Sequence, residues 1–340
     1  MKRLALIGGG AIVVLAASYF GLSAYSSKQA EKRLEDWVYD MELDERLTWD
    51  SVSSSPFGGS VSISGLELGA DADEPAMRIA KLTLSELVDS DERTQARLRF
   101  QGIEAGQGAL TGLSSLSRMA GGDFGRAAHN FAPALNSGLT ELKPFDAELF
   151  VNVDDDDGSF ESELFIGLPE LFESRISYRL DKQRNLNRTL RHLPEDLSEA
   201  EGIYQVLAQL GTLDESLKRA EVSRITVSLK DRGMLERSVA LQQRYNTPLD
   251  PAAGSAESQR QAHYERQVAN RVKACERDEL GRGLENACEL LEKVLLRKVD
   301  GVELSIVPDE PVRLQDLAKL ENPRAAKRLV ERLNLQLSSL

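Results

Sequence analysis

The feature that most constrains this chain is a period of two. Phe145, Ala147, Leu149, Val151 and Val153 alternate with more polar neighbours, Asp154 to Gly158 make a turn signal, and the alternation resumes from Phe160 through Ile166. Successive side chains of a strand point to opposite faces, so this segment predicts a β-hairpin with one apolar and one wet face. The five-residue turn is Asp-rich and ends in Gly, the composition such a turn requires.

The same signature recurs elsewhere. Leu47, Trp49 and Val52 lead through Pro56, Phe57, Gly58 and Gly59 to Val61 and Ile63, a second hairpin. At Gly65 the alternation shifts by one residue, so that Leu66 and Leu68 continue it out of step, which predicts a bulge there. Further strands are expected over Met77 to Leu84, Ala96 to Ile103 and Arg175 to Leu180. Ile225, Val227 and Leu229 are expected to form another, with Leu235 to Leu241 returning beside it after the turn Lys230 to Gly233. Val302, Leu304 and Ile306 are expected as the last strand.

Between these runs the spacing becomes helical. Ala30, Leu34, Trp37, Val38 and Met41 predict an amphipathic helix, and Ile203, Val206, Leu207, Leu210 and Leu217 predict another over 199–218. Leu110, Leu113, Leu116, Phe124, Phe131 and Leu135 fall at roughly helical intervals within a Gly- and Ala-rich insert. Tyr264, Val268, Val272 and Cys275 before Gly281 and Gly283, and Leu284, Cys288, Leu291 and Leu295 after them, predict an antiparallel helix pair. A closing helix after Asn322 and Pro323 is expected to carry Leu329, Val330, Leu333, Leu335 and Leu337.

The fold class expected is therefore α+β: an N-terminal transmembrane helix, then an antiparallel β-rich region with packed helices and a C-terminal helix. The organisation expected is 1–26 membrane anchor or signal, 27–45 juxtamembrane helix, and 46–246 β-rich domain with a helical insert at 106–139. A linker over 247–258 and a region 259–340 holding the helical hairpin, last strand and C-terminal helix complete it.

The N-terminus bounds the compartment. Lys2 and Arg3 precede an apolar run from Leu4 to Tyr25, about 22 residues against the roughly 20 that span a hydrocarbon core as helix. Leu4, Ile7, Ile12, Val13, Val14, Leu15, Phe20, Leu22 and Tyr25 are its anchoring residues. Ala16, Ala17 and Ser18 offer a signal-cleavage alternative, but Tyr19, Phe20, Leu22 and Tyr25 prolong the run past that site, which favours an uncleaved anchor. Positive charge on the short side orients the remainder to the periplasm. The only two cysteines, Cys275 and Cys288, are almost equidistant from the midpoint of Gly281 and Gly283, so a structural disulfide across the helical hairpin is expected.

Composition and motif exclude several functions. A net charge of −13 without a Lys/Arg cluster disfavours nucleic acid as partner. The run Asp154 to Asp157 lacks calcium-loop spacing, since Leu164 stands where a twelfth-position acid is needed, so an acidic turn is preferred to a metal site. His129, His192 and His263 have no zinc-site spacing. The glycines Gly106, Gly108 and Gly112 have the wrong interval for a dinucleotide fingerprint. No Walker loop or nucleophile elbow is present, so no catalytic residue, cofactor or metal is assigned and a non-enzyme is expected.

Three stretches together carry a family resemblance. They are the anchor with Lys28 to Trp37, the segment Leu47-Thr48-Trp49-Asp50-Ser51-Val52 with Phe57-Gly58 and Val61 to Leu68, and the close formed by Val302 to Ile306, Pro308, Pro311 and Val312. In these the chain resembles the YdgA-like family of Gram-negative inner-membrane proteins and, more distantly, AsmA-like envelope proteins. The resemblance implies a membrane-tethered periplasmic β-structure, an extended, curved sheet with an apolar groove, associated with lipid movement or envelope assembly. Two functions follow as expectations. One is lipid handling or envelope maintenance through an apolar sheet face, with phospholipid as partner. The other is a non-catalytic scaffold binding another envelope protein; an envelope hydrolase is a third reading that no motif supports.

Overall fold

The computed structural model describes residues 27–40, 47–55, 59–71, 74–105, 138–139, 141–184, 186, 219–277, 286–321 and 329–340. The expected anchor, most of the insert at 106–139 and the helix expected over 199–218 lie outside these residues. Among the described residues no helix is long and apolar enough to cross a membrane.

Alternation does produce an antiparallel sheet, and all twelve strands belong to it. They are β1 (Leu47–Thr48), β2 (Ser51–Ser54), β3 (Ser60–Asp71), β4 (Glu74–Asp89), β5 (Arg93–Ala105), β6 (Phe145–Asp154), β7 (Ser159–Leu168), β8 (Phe172–Asp181), β9 (Glu221–Asp231), β10 (Gly301–Ile306), β11 (Val312–Arg313) and β12 (Leu335–Ser339). The path runs β1-β3-β4-β5-β6-β7-β8-β9-β10-β12, with β2 also on β3 and β11 also on β9. Most strands neighbour the strand before them in sequence, so the sheet is mainly a meander, with short connections from β3 to β5 and from β6 to β8 and long ones after β5, β8 and β9. Among the described residues the sheet is accompanied by α1 (Ser27–Asp40), α2 (Met234–Asn246), α3 (Ala256–Arg277), α4 (Ala287–Leu295) and a helical stretch at 329–333. A 3-10 helix spans Leu314–Glu321.

Register converts the alternation into two chemically distinct faces. Directly paired residues share a face, and one such row reads Val61, Leu84, Leu98, Leu149, Leu164, Ile176, Val227, Leu304 and Leu337. Every member is aliphatic. The row behind the plane reads Arg97, Phe150, Glu163, Ser177, Thr226, Ser305 and Gln336.

The phase switch at Gly65 is real, but it is not a local bulge. Ser64 pairs with Lys81 and Leu66 with Ile79, so β3 and β4 keep step through the glycine. On β5 the same step is taken, Leu82 facing Phe100 and Ile79 facing Ile103. Gly65 and Gly102 both have φ of +62°, a left-handed conformation that a residue with a Cβ adopts only at a cost, and it returns the apolar side chains to one face. A Cβ on Gly102 would also lie 2.9 Å from that of Ala80. The mismatch is discharged at the next boundary, where the β5–β6 register shifts between Phe100 and Ile103 and Asp146 Oδ1 accepts the Gly102 N–H at 2.8 Å. Three strands thus switch together, which no single strand's pattern could reveal.

The apolar face is covered at its two flanks. On one, Leu34 and Val38 of α1 seal a core with Leu47, Ile63, Leu66, Ile79, Leu82, Leu84, Leu98 and Ile103. On the other, Leu180, Ala220 and Val222 pack with Leu314 and Leu317 of the 3-10 helix, and Val312, Leu329 and Leu333 pack with Ile306 and Leu335. The helical hairpin is a separate small core in which Val239 of α2 meets Tyr264 and Val268 of α3 and Leu295.

Two expected elements are corrected. Leu235 to Leu241 are not the partner strand of β9 but part of α2, and β9 pairs with β10 instead. Asp231 is the local cause: its Oδ1 accepts the Leu235 N–H at 2.9 Å and its Oδ2 the Gly233 N–H at 3.2 Å, which satisfies free donors at a helix start. Leu335 and Leu337 are not in the closing helix but in β12. Asn334, at φ 47°, ends the helix in left-handed conformation, after which Leu335 and Leu337 alternate along the edge of β10. The strand Val302 to Ile306 is consequently not the last. The strands β10 to β12, beyond the expected linker, complete the same sheet rather than a sheet of their own.

Candidate functional site

Beyond the core that Leu34 and Val38 join, the aliphatic row opens. Leu98, a member of that core, is 2% exposed, whereas Leu164 of β7 and Ile176 of β8, which face each other in register, are 36% and 38% exposed. Leu149 and Ile166 on one side and Val227 and Leu229 on the other are only partly buried. These six residues form an aliphatic strip across β6 to β9, a width of about 14 Å at the usual strand spacing. Leu164 and Ile176 make the exposed centre of this strip, which is a candidate surface for an apolar partner.

The opposite face of the same strands has the reverse chemistry. Arg97 binds Glu86 Oε1 at 2.7 Å and Glu148 Oε1 at 2.5 Å, and lies 4.6 Å over the Phe150 ring. Arg99 binds the other oxygen of Glu148 at 2.9 Å. Burial alone would disfavour the charge on Glu148, but the hydrogen bonds and attraction of Arg99 and Arg97 outweigh it and hold its pKa below the ordinary value. Arg175 pairs with Glu163 and lies over Phe165, and Arg179 gathers Glu161, Asp157 and Asp181. This ladder solvates one face thoroughly and leaves the aliphatic strip as the sheet's one-sided exception.

The acidic turn after β6 behaves as a turn. Asp154 Oδ1 accepts the Asp157 N–H at 3.0 Å, Arg93 lies 3.9 Å from Asp154, and Arg179 lies 3.1 Å from Asp157. Among the described residues no group of three or more His, Cys, Asp or Glu side chains is arranged to hold a metal. His263 has its Nε2 2.8 Å from Gln267 Nε2, one turn along α3. His129 and His192 lie outside the described residues.

Cys275 and Cys288 are brought together as a disulfide, with Cα atoms 5.8 Å apart. The bridge ties α3 to α4, and Tyr264 adds a second tie by donating its hydroxyl to the Leu295 carbonyl at 2.8 Å. Burial raises the Tyr264 pKa against the weaker pull of Arg271 and Arg297. The cysteines tie the helical hairpin and lie on helices, not on the strands that carry the aliphatic strip.

Sequence reasoning assigned Leu164 and Ile176 to strands but could not distinguish them from Leu98. All three are aliphatic residues in alternating runs. What separates them is that Leu98 belongs to the buried cluster that Leu34 and Val38 of α1 join and the other two do not, which depends on long-range packing. Comparison with protein-family models and with curated proteins finds no match for this chain.

Proposed function

We propose that this is a membrane-anchored protein of the bacterial envelope that handles lipid, with the strip Leu149, Leu164, Ile166, Ile176, Val227 and Leu229 as the seat of an acyl chain. The observation that carries the reading is the exposure of Leu164 and Ile176 in the middle of an aliphatic row that is sealed farther along. A hydrocarbon tail suits such a surface because it asks for no hydrogen bond, and the row offers none. Each methylene taken out of water contributes about 0.8 kcal/mol, so a segment of about ten would gain roughly 8 kcal/mol before the cost of ordering it.

The other parts of the proposal rest on the sequence. The run Leu4 to Tyr25 is the anchor, Lys2 and Arg3 hold its short side in the cytoplasm, and the disulfide suits the oxidising periplasm beyond. A kinship with YdgA-like and AsmA-like proteins belongs to the same reading. No catalytic step, cofactor or metal is part of it.

The test is photo-crosslinking of the full-length protein in its membrane, with a benzophenone side chain placed at Leu164, at Ile176 and, on the opposite face, at Arg175. The expected result is phospholipid adducts at Leu164 and Ile176 and none at Arg175. A single captured protein at Leu164 and Ile176, with no lipid, would replace lipid handling by a scaffold role. Equal lipid labelling at all three positions would sink the reading, because it reports contact with bulk membrane.

A further inference from the structure

The two ends of the sheet are finished differently. At one end the edge is split into β1 and β2, with Trp49 and Asp50 between them, and α1 packs against β2. Short, interrupted and covered strands are how natural sheets avoid pairing with other chains. At the other end stands β12, five residues without interruption, charge or proline. Gln336, Ser338 and Ser339 are exposed there, and α4 approaches β12 without pairing to it. Among the described residues no strand pairs with the outer side of β12.

The ladder phase tells which backbone groups face away from β10. Leu340 N–H donates to the Gly301 carbonyl at 3.0 Å, and β12 pairs with β10 so that Ser338 faces Glu303 and Gln336 faces Ser305. In an antiparallel ladder the residues two apart bond to the same side, so Ser338 and Gln336 bond inward to β10. Leu335, Leu337 and Ser339 then turn their N–H and C=O groups outward.

We infer that β12 pairs antiparallel with β12 of a second copy of this chain, about a twofold axis through Leu337. The pattern is self-complementary: Leu337 faces Leu337 of the copy, Leu335 faces Ser339, and Gln336 faces Ser338. All three outward residues then donate and accept once, which satisfies the edge. A two-fold axis requires one patch to fit itself, and this register does so without placing like charges opposite each other. It also carries the aliphatic row onward, from Leu304 and Leu337 to Leu337 and Leu304 of the copy. The inference is independent of what occupies the strip at Leu164 and Ile176.

The test uses the full chain in detergent. Sedimentation equilibrium of the unaltered protein should give the mass of two copies, and Leu337→Pro should halve it. Proline at that position removes only an outward N–H, so the β10 ladder persists and circular dichroism should be unchanged. Register is read by oxidative crosslinking: Leu337→Cys should bridge to itself, since facing Cα atoms in such a pair stand about 5.5 Å apart, within disulfide reach. Gln336→Cys should bridge to Ser338→Cys in a mixture and not to itself. A monomer at every concentration with no Leu337→Cys bridge would overturn the inference, as would self-bridging of Gln336→Cys in place of Leu337→Cys. Occupation of this edge by a different protein, with the chain otherwise monomeric, would overturn it too.

Discussion

The sealed flank around Leu98 and the open strip around Leu164 are built from the same material. Both are aliphatic residues of one row, two strands apart, and Leu149 connects them directly. On the flank, Leu34 and Val38 of α1 close over the sheet, and the row becomes a core. In the middle the same chemistry remains at the surface. The comparison teaches that an aliphatic face does not specify its own role: burial in a cluster turns Leu98 into core, while Leu164 and Ile176 in the same row stay exposed.

The contrast can be sharpened by substitution, beginning with the largest effect. Leu98→Ala should cost about 4 kcal/mol, the lost transfer energy plus a cavity that α1 and β4 cannot fill, measured by urea unfolding. Replacing Cys275 and Cys288 together by Ser should cost about 3 kcal/mol in the chain-entropy account, because the closed loop is 13 residues in sequence separation. That loss should appear as faster amide exchange in α3 and α4 and leave the sheet's exchange unchanged, since the hairpin has its own core.

Next in size is Gly102→Ala, expected to cost about 1–2 kcal/mol from the left-handed conformation and the crowding at Ala80. Its larger signature should be loss of the shared phase switch, read as increased exchange in β3, β4 and β5 alike. Smallest is Leu164→Ala, which should change stability by less than about 1 kcal/mol because the side chain already meets solvent. The same substitution should nevertheless abolish most lipid adducts at the neighbouring Ile176. If Leu164→Ala destabilised the fold as much as Leu98→Ala, the strip would be core and the comparison would fail.

The polar face responds to pH. Glu148 has its folded pKa lowered, so its contribution to stability is fully present above the ordinary carboxylate value and is lost as pH falls through the depressed folded value. Urea midpoints taken between about pH 6 and pH 3 should therefore fall with pH, and Glu148→Gln should flatten part of that slope. The open strip contains no titrating group and should not contribute.

Much of the sheet was legible because strand periodicity is local. The hairpin about Asp154 to Gly158 and the strands holding Val302 to Ile306 and Arg175 to Leu180 follow from alternation bounded by turn residues. The bridge between Cys275 and Cys288 follows from their symmetric placement about Gly281 and Gly283. Misreadings fell where local pattern is ambiguous. Leu235 to Leu241 is short enough to fit either period, and the caps from Asp231 decide for helix. Leu335 and Leu337 satisfy a helical run until Asn334 breaks it and an open sheet edge takes the remainder.

Sequence by itself determined that this chain has an antiparallel sheet with one apolar and one polar face, because side-chain alternation is a property of neighbouring residues. Only the tertiary structure decided that one row would run through nine strands, that Gly65 and Gly102 would switch its phase together, and that Leu98 would be sealed while Leu164 and Ile176 stayed open. The physical reason is that register and cover join residues far apart in the chain. A leucine's burial is set by what folds back upon it.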